Sequence, residues 1–215
     1  MSSLILTAKV TKAHKGFDML SRKIGLFGVL ALAVCASAQE AKPAAKTAHS
    51  IDPERSTLMV RVFRSGLFGK FGHDHEIAAP IAEGVVDDGG KPSVTLRVRS
   101  HEMKVLDRDL EPKKRADVQE TMLGGQVLDS SNFPEIRFAS THVTSVGPDK
   151  WLVMGMLTLH GETHAVTLNV VRENGRFQGA ATIRQTDYGI TPVSVAGGTV
   201  SVKNEIKIEF DIAVK

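Results

Sequence analysis

The sequence has almost no cysteine: one thiol, Cys35, in 215 residues, so no intramolecular disulfide is open to it and the fold must be held by its own core. It has no apolar run long enough to span a bilayer. Ile24 to Val34 is apolar apart from two glycines, but is shorter than the ~20 residues a transmembrane helix needs. There is no nucleophile elbow, no phosphate-cradling glycine loop and no paired carboxylates in a hydrolytic motif, so no catalytic residue is assigned. Internal repeats and a second domain boundary are missing as well.

The basic balance of the chain belongs to its first 38 residues. Arg22 and Lys23, then Ile24–Val34, then Ala36-Ser37-Ala38 have the three-part layout of a secretory signal peptide, with cleavage expected before Gln39. A lipoprotein signal at Cys35 fits less well, because Val34 stands where a small residue is wanted. Residues 1–18 match no part of the signal, and Met19 is the expected start. Five of the 27 Lys and Arg residues (Lys9, Lys12, Lys15, Arg22, Lys23) and one of the 24 acids (Asp18) lie in this stretch, so removing it takes the formal charge from +3 to −1. A near-neutral surface lacks the basic stripe that phosphate backbones require, and nucleic acid is not an expected partner. The expected location is periplasmic or secreted, with no transmembrane segment in the mature chain.

Residues 39–48, rich in Ala, Lys and Pro, read as a flexible tether, and residues 49–215 as one domain. A chain of this length buries on the order of 70% of its unfolded surface, which is enough for a real core. Its dominant signal is period-two alternation. Leu58, Val60 and Val62 interleave with Met59, Arg61 and Phe63; Val94, Leu96 and Val98 interleave with Thr95, Arg97 and Arg99. Ile206, Ile208, Phe210, Ile212 and Val214 alternate with Lys207, Glu209, Asp211 and Ala213. Further strands are expected at 77–86, 135–143, 151–159, 163–171 and 176–184, which makes eight. Asp88-Gly89-Gly90, Gly147-Pro148-Asp149, Gly161-Glu162 and Asn174-Gly175 supply tight turns and therefore antiparallel neighbours. Periodicity alone does not choose between a sandwich and a closed barrel. Pro112 to Leu123 breaks the alternation: Val118 and Met122 are four apart, Pro112 suits a first turn and Gly124-Gly125 a stop, so a short amphipathic helix is expected there.

Several segments taken together resemble the YceI-like family of exported, lipocalin-like proteins. Asn132-Phe133-Pro134-Glu135-Ile136-Arg137-Phe138-Ala139-Ser140-Thr141 resembles its central strand. Gly155-Met156-Leu157-Thr158-Leu159-His160-Gly161-Glu162-Thr163-His164-Ala165-Val166-Thr167-Leu168 is similar to its most recognisable hairpin. Arg184, Asp187, Tyr188, Gly189 and Ile190 match its arginine, acid, aromatic, Gly-Ile element, and Ile51-Asp52 its opening. The resemblance implies an all-β fold, an eight-stranded antiparallel lipocalin-like barrel with one short α-helix. It also implies an elongated apolar pocket for a polyisoprenoid or quinone-like lipid, no other cofactor and no catalytic residues. Homodimers are common in that family, although no exposed stripe in this sequence argues for one. The chain departs from the family pattern at Ala116-Asp117-Val118-Gln119 and at Gly72-His73-Asp74-His75.

If Gly161-Glu162 is a two-residue turn, Val153, Gly155, Leu157 and Leu159 share a face with His164, Val166, Leu168 and Val170, while Met154 and Met156 point the other way with Thr167 and Asn169. The first face suits a filled core and a hollow barrel equally; the two methionines suit an outer face covered by the helix or by a pocket lip. The expected ligand-binding residues are Phe68, Phe71, His73, His75, Phe138, Val153, Leu157, Val166, Leu168 and Ile183. Phe68 and Phe71 sit in a glycine-rich loop (Gly66, Gly69, Gly72) that reads equally as a portal and as an ordinary connecting loop with buried anchors. His73 and His75 share a face on an extended segment and could clasp a ligand head group or a metal. His101, His142, His160 and His164 are the histidines that could contribute from elsewhere, but no third ligand is identifiable and no metal site is assigned. A metal- or cofactor-dependent activity at His73 and His75 is the alternative to lipid binding. Arg184 and Asp187 are expected to brace a corner, by pairing with each other or with backbone.

Overall fold

The computed structural model describes residues 47–65, 74–195 and 200–215. The predicted signal peptide with Cys35, the Met19 start and most of the tether lie outside the described residues, as does the predicted portal loop with Phe68, Phe71 and His73.

The alternating segments form antiparallel strands of one curled sheet. In chain order they are β1 (Ala48–Ser50), β2 (Thr57–Ser65), β3 (His75–Ala78), β4 (Ile81–Asp87), β5 (Ser93–Arg99), β6 (Lys104–Val105), β7 (Glu135–Gly147), β8 (Lys150–Leu159), β9 (Glu162–Glu173), β10 (Arg176–Arg184), β11 (Ser194–Val195) and β12 (Val200–Ile212). The hydrogen-bonded order is β1-β4-β5-β7-β8-β9-β10-β12-β2-β3-β6, with β11 on β12. Because β3 and β4 are separated only by Ala79-Pro80, the order returns to its start. One half of that bent strand pairs with β2 and the other with β5, and the Ala79 amide still reaches the Leu58 carbonyl at 2.9 Å. Pro80 has no amide to give a ladder, which is why one expected strand, 77–86, is two.

The class is therefore the expected lipocalin-like one, but the strand count is twelve among the described residues rather than eight. The difference is Pro80 and three short strands, β1, β6 and β11, too brief to show a period. β12 also begins at Val200 rather than Ile206 and ends at Ile212 rather than Val214. An irregularity between Val202 and Ile206 shifts the register, which breaks the alternation, and Ala213 turns away to accept from the Asp52 amide at 2.8 Å.

The hairpins carry the turn chemistry that fixes register. Asn174 and Gly175 have φ of 50° and 75° and connect β9 to β10 as expected. In the β8–β9 hairpin the turn residues are His160 and Gly161, with φ of 51° and 81°, and not Gly161-Glu162. Both positions need positive φ, which Gly161 takes freely and His160 tolerates. The shift moves the facing pairs to Val153↔Leu168, Gly155↔Val166 and Leu157↔His164. A one-residue change in the turn moves the partner by two, so the expected faces survive.

The helix α1 runs from Pro112 to Leu123 as expected, and Gly124 caps it by donating its amide to Glu120 O at 2.9 Å. It is tied to the sheet by Gln119, whose Nε2 donates to Met103 O and whose Oε1 accepts from the Val105 amide, both at 2.8 Å. Val118, Met122 and Leu123 pack into the main core with Met103, Val105, Leu128, Tyr188 and Ile190. The helix does not cover the outer methionines: Met154 and Met156 are 41% and 38% exposed.

Candidate functional site

The inward side chains do not fill the barrel. They surround a cavity of about 240 Å³, far beyond the ~10–15 Å³ that would hold one water. Its wall is drawn from most of the strands: Leu58 and Val60 of β2, Leu96 and Val98 of β5, Phe138 and Val143 of β7, Val153 and Leu157 of β8, Val166 and Leu168 of β9, Ala181 and Ile183 of β10, and Ile206, Ile208 and Phe210 of β12. Two glycines help to keep this space open. A Cβ on Gly155 would stand 2.4 Å from Cζ of Phe138, and one on Gly179 would stand 2.6 Å from Cζ of Phe210. Each ring therefore lies over a bare stretch of neighbouring backbone, which lets a large apolar group line the wall instead of crossing the lumen.

One end is sealed. Met103, Met122, Leu128 and Ile190 are buried there, and Tyr188 is 1% exposed. The Tyr188 ring meets His164 edge-on at 5.1 Å, and its carbonyl accepts from His160 Nδ1 at 3.1 Å. Burial, reinforced by the charge of Asp187, raises the Tyr188 phenol above its ordinary pKa.

The other end reaches the surface. Asp88 and Ser93 line it and are exposed. Beside them Trp151 and Phe177, centroids 5.9 Å apart, form a half-buried aromatic rim. The Arg172 guanidinium lies 5.8 Å from the Trp151 ring and 6.0 Å from the Phe177 ring. It is held by Asp149 at 2.8 Å and Asp88 at 3.5 Å. The Asp87 carboxyl, hydrogen-bonded to the Thr47 side chain and to the Gly89 amide at 2.9 Å, sits below the ordinary aspartate value.

Of the residues expected to bind a ligand, Phe138, Val153, Leu157, Val166, Leu168 and Ile183 line one cavity. His75 does not. Its Nδ1 lies 2.6 Å from Asp107 Oδ2, and Asp107 Oδ1 accepts from the Glu76 amide at 2.8 Å, which makes the pair an anchor of β3. Among the described residues no three of His, Cys, Asp and Glu gather into a metal-binding group. Arg184 and Asp187 form no ion pair with each other; Gln185 Nε2 donating to Lys203 O at 2.8 Å, and Asn204 bridging Thr186, brace that corner instead. Sequence reasoning missed the rim of Trp151, Arg172 and Phe177. Alternation carried one residue pair further along the β9–β10 hairpin, where Phe177 faces Arg172, was the signal that could have found it.

The YceI-like domain model matches residues 49–214 of the chain. This chain belongs to the YceI-like family. Among solved structures, BcnA of Burkholderia cenocepacia superposes with a TM-score of 0.55 at 18% identity, over 75% of this chain and 98% of that one; the likeness is one of fold. A polyisoprenoid binding domain from Saccharophagus degradans implicated in plant cell wall breakdown gives 0.49 at 16% identity, over 77% and 96%. The Campylobacter jejuni YceI protein gives 0.44 at 12%, over 65% and 81%. No curated protein matches the chain.

Proposed function

We propose that this YceI-like protein is a non-enzymatic binding or carrier protein that holds a long isoprenoid-type lipid or quinone in its barrel outside the cytoplasm. The observation that carries the reading is the cavity of about 240 Å³, apolar along its wall and reaching the surface at one end. Membership of a family of binding proteins supports it as well. An eight-stranded ring is just wide enough for one slim ligand, and each buried methylene contributes roughly 0.8 kcal/mol, so an isoprenoid chain binds without any charged contact. The polar head of the ligand stays at the rim, where Arg172 is already positioned over two rings.

Trp151 is the single tryptophan of the chain and lines the cavity, so it reports on occupancy. Titrating lipid-stripped protein with a quinone bearing an isoprenoid tail quenches its fluorescence saturably at one ligand per chain. Organic extracts of freshly purified protein contain a long-chain lipid by mass spectrometry. Unchanged fluorescence at excess quinone, together with lipid-free extracts, refutes the proposal.

A further inference from the structure

Among the described residues the large hydrophobic side chains left exposed are Val85, Val146, Met154 and Met156. The two methionines are alternate residues of β8 and so share the outer face, with their Cα atoms about 6.6 Å apart by strand geometry. Neither serves the cavity. Valine or isoleucine would suit an exposed strand position better; what methionine adds is a soft thioether on three rotatable bonds.

A histidine stands beside them. His142 pairs directly with Met154 across the β7–β8 ladder, which puts the two Cβ atoms about 4.5–5.5 Å apart, with Met156 on the diagonal at about 7–8 Å. Its presence on this face depends on an irregularity. Ser140 faces Gly155 and His142 faces Met154, so Thr141 is the extra residue of a bulge. Regular alternation after Ser140 would turn His142 into the barrel. With the bulge it points outward, while Val143 returns to the cavity wall opposite Val153. The small residues Ala139 and Ala165 flank Met156 on the neighbouring strands, and Thr167 faces Met154. The thioethers therefore have room to swing, and no carboxylate or cationic side chain occupies these paired positions.

Two thioethers and an imidazole side by side on one exposed face form a donor set for a soft monovalent ion: thioethers select Cu(I), and imidazole suits copper. We propose that the outer face of β7 and β8 carries a Cu(I)-class binding site made of His142, Met154 and Met156, separate from the lipid cavity.

The test uses the purified full chain under anaerobic conditions, with Cu(I) supplied from a coloured chelator and Ag(I) as a redox-inert stand-in. One equivalent of Cu(I) leaves the chelator, and one equivalent of Ag(I) shifts the ε-methyl NMR signals of Met154 and Met156 among the seven methionines. The Met154→Leu/Met156→Leu variant keeps its melting temperature and loses both effects, and His142→Phe weakens uptake. Failure of the wild type to compete for Cu(I), uptake that survives the double variant, or Ag(I) shifts confined to other methionines overturns the proposal. Equal shifts of the same two methyls by Zn(II) overturn it too, since they would mark a site without thioether selectivity.

Discussion

At the end of the barrel where α1 docks, Ile77, Val98, Met103, Met122, Leu128, Tyr188 and Ile190 belong to one buried cluster, whereas at the rim the buried cluster is Ile51, Ile81 and Ile212, with Phe177 and Phe210 only partly covered. The strands that run through both ends carry the same alternating pattern. What separates the ends is the material between strands: the segment from Ser100 to Pro134, holding α1, folds over one end, while the strand connections at the rim include the short turns 88–92, 148–149 and 174–175. A closed sheet supplies an apolar tube, and its connections decide whether each end is a plug or a mouth.

That contrast breaks most severely if the plug is pulled. Met122 is 6% exposed and lies between the helix and the cavity. Met122→Ala removes its packing and extends an existing void that cannot collapse, so a loss of about 2–5 kcal/mol is expected in urea unfolding. A loss well under that range would show that α1 contributes little to the sealed end.

A smaller effect compares the same added bulk in two places. Val105 on β6 is 7% exposed, packed in the main cluster and not part of the cavity wall; Val105→Phe should cost about 1–3 kcal/mol by overpacking. Leu168 borders empty space, so Leu168→Phe should change stability by less than ~1 kcal/mol while weakening the quinone quenching of Trp151. Equal destabilisation at the two positions would mean that the interior near Leu168 is as tightly filled as the plug.

Much of this was legible in the residues. Alternation gave the strands and the inward set from Val153 to Val170, because parity survives a turn placed one residue late; the helix was bounded by Pro112 and Gly124. The elements that escaped, β1, β6 and the start of β12, are too short or too irregular for a period to show. The anchoring of His75 by Asp107 was hidden because the two lie 32 positions apart. A hollow barrel and a filled one have the same parity, so the cavity itself had to come from three-dimensional packing. The bulge at Thr141 that turns His142 outward is equally silent in a binary pattern.

The mildest expected effect separates the wall from the mouth by pH. Cross-strand ion pairs lace the outer wall: Arg97 bonds Glu83 at 2.8 Å and Glu135, and Arg61 bonds Glu209 at 2.6 Å and Glu76. Hydrogen bonds from Arg137 and Arg97 lower Glu135, those from Lys207 and Arg61 lower Glu209, and that from Arg97 lowers Glu83, all from an ordinary 4.5. A carboxyl whose pKa is lower folded than unfolded adds stability that is complete above the unfolded value and disappears as pH falls through the folded one. The wall should therefore weaken from about pH 4.5 downward, and only modestly, since these groups are solvent-screened. At the mouth Asp87 is lowered from an ordinary 3.8 by the Thr47 side chain and the Gly89 amide, so its contribution starts to be lost only from about pH 3.8 downward. Hydrogen exchange on acidification should show the Gly89 amide losing protection after the amides of β5 and β7. The reverse order would mean that the rim turn depends on something other than the Asp87 carboxylate. Raising the salt concentration should reproduce part of the wall effect and leave Gly89 unchanged, because screening acts on ion pairs and not on a hydrogen bond to a neutral amide.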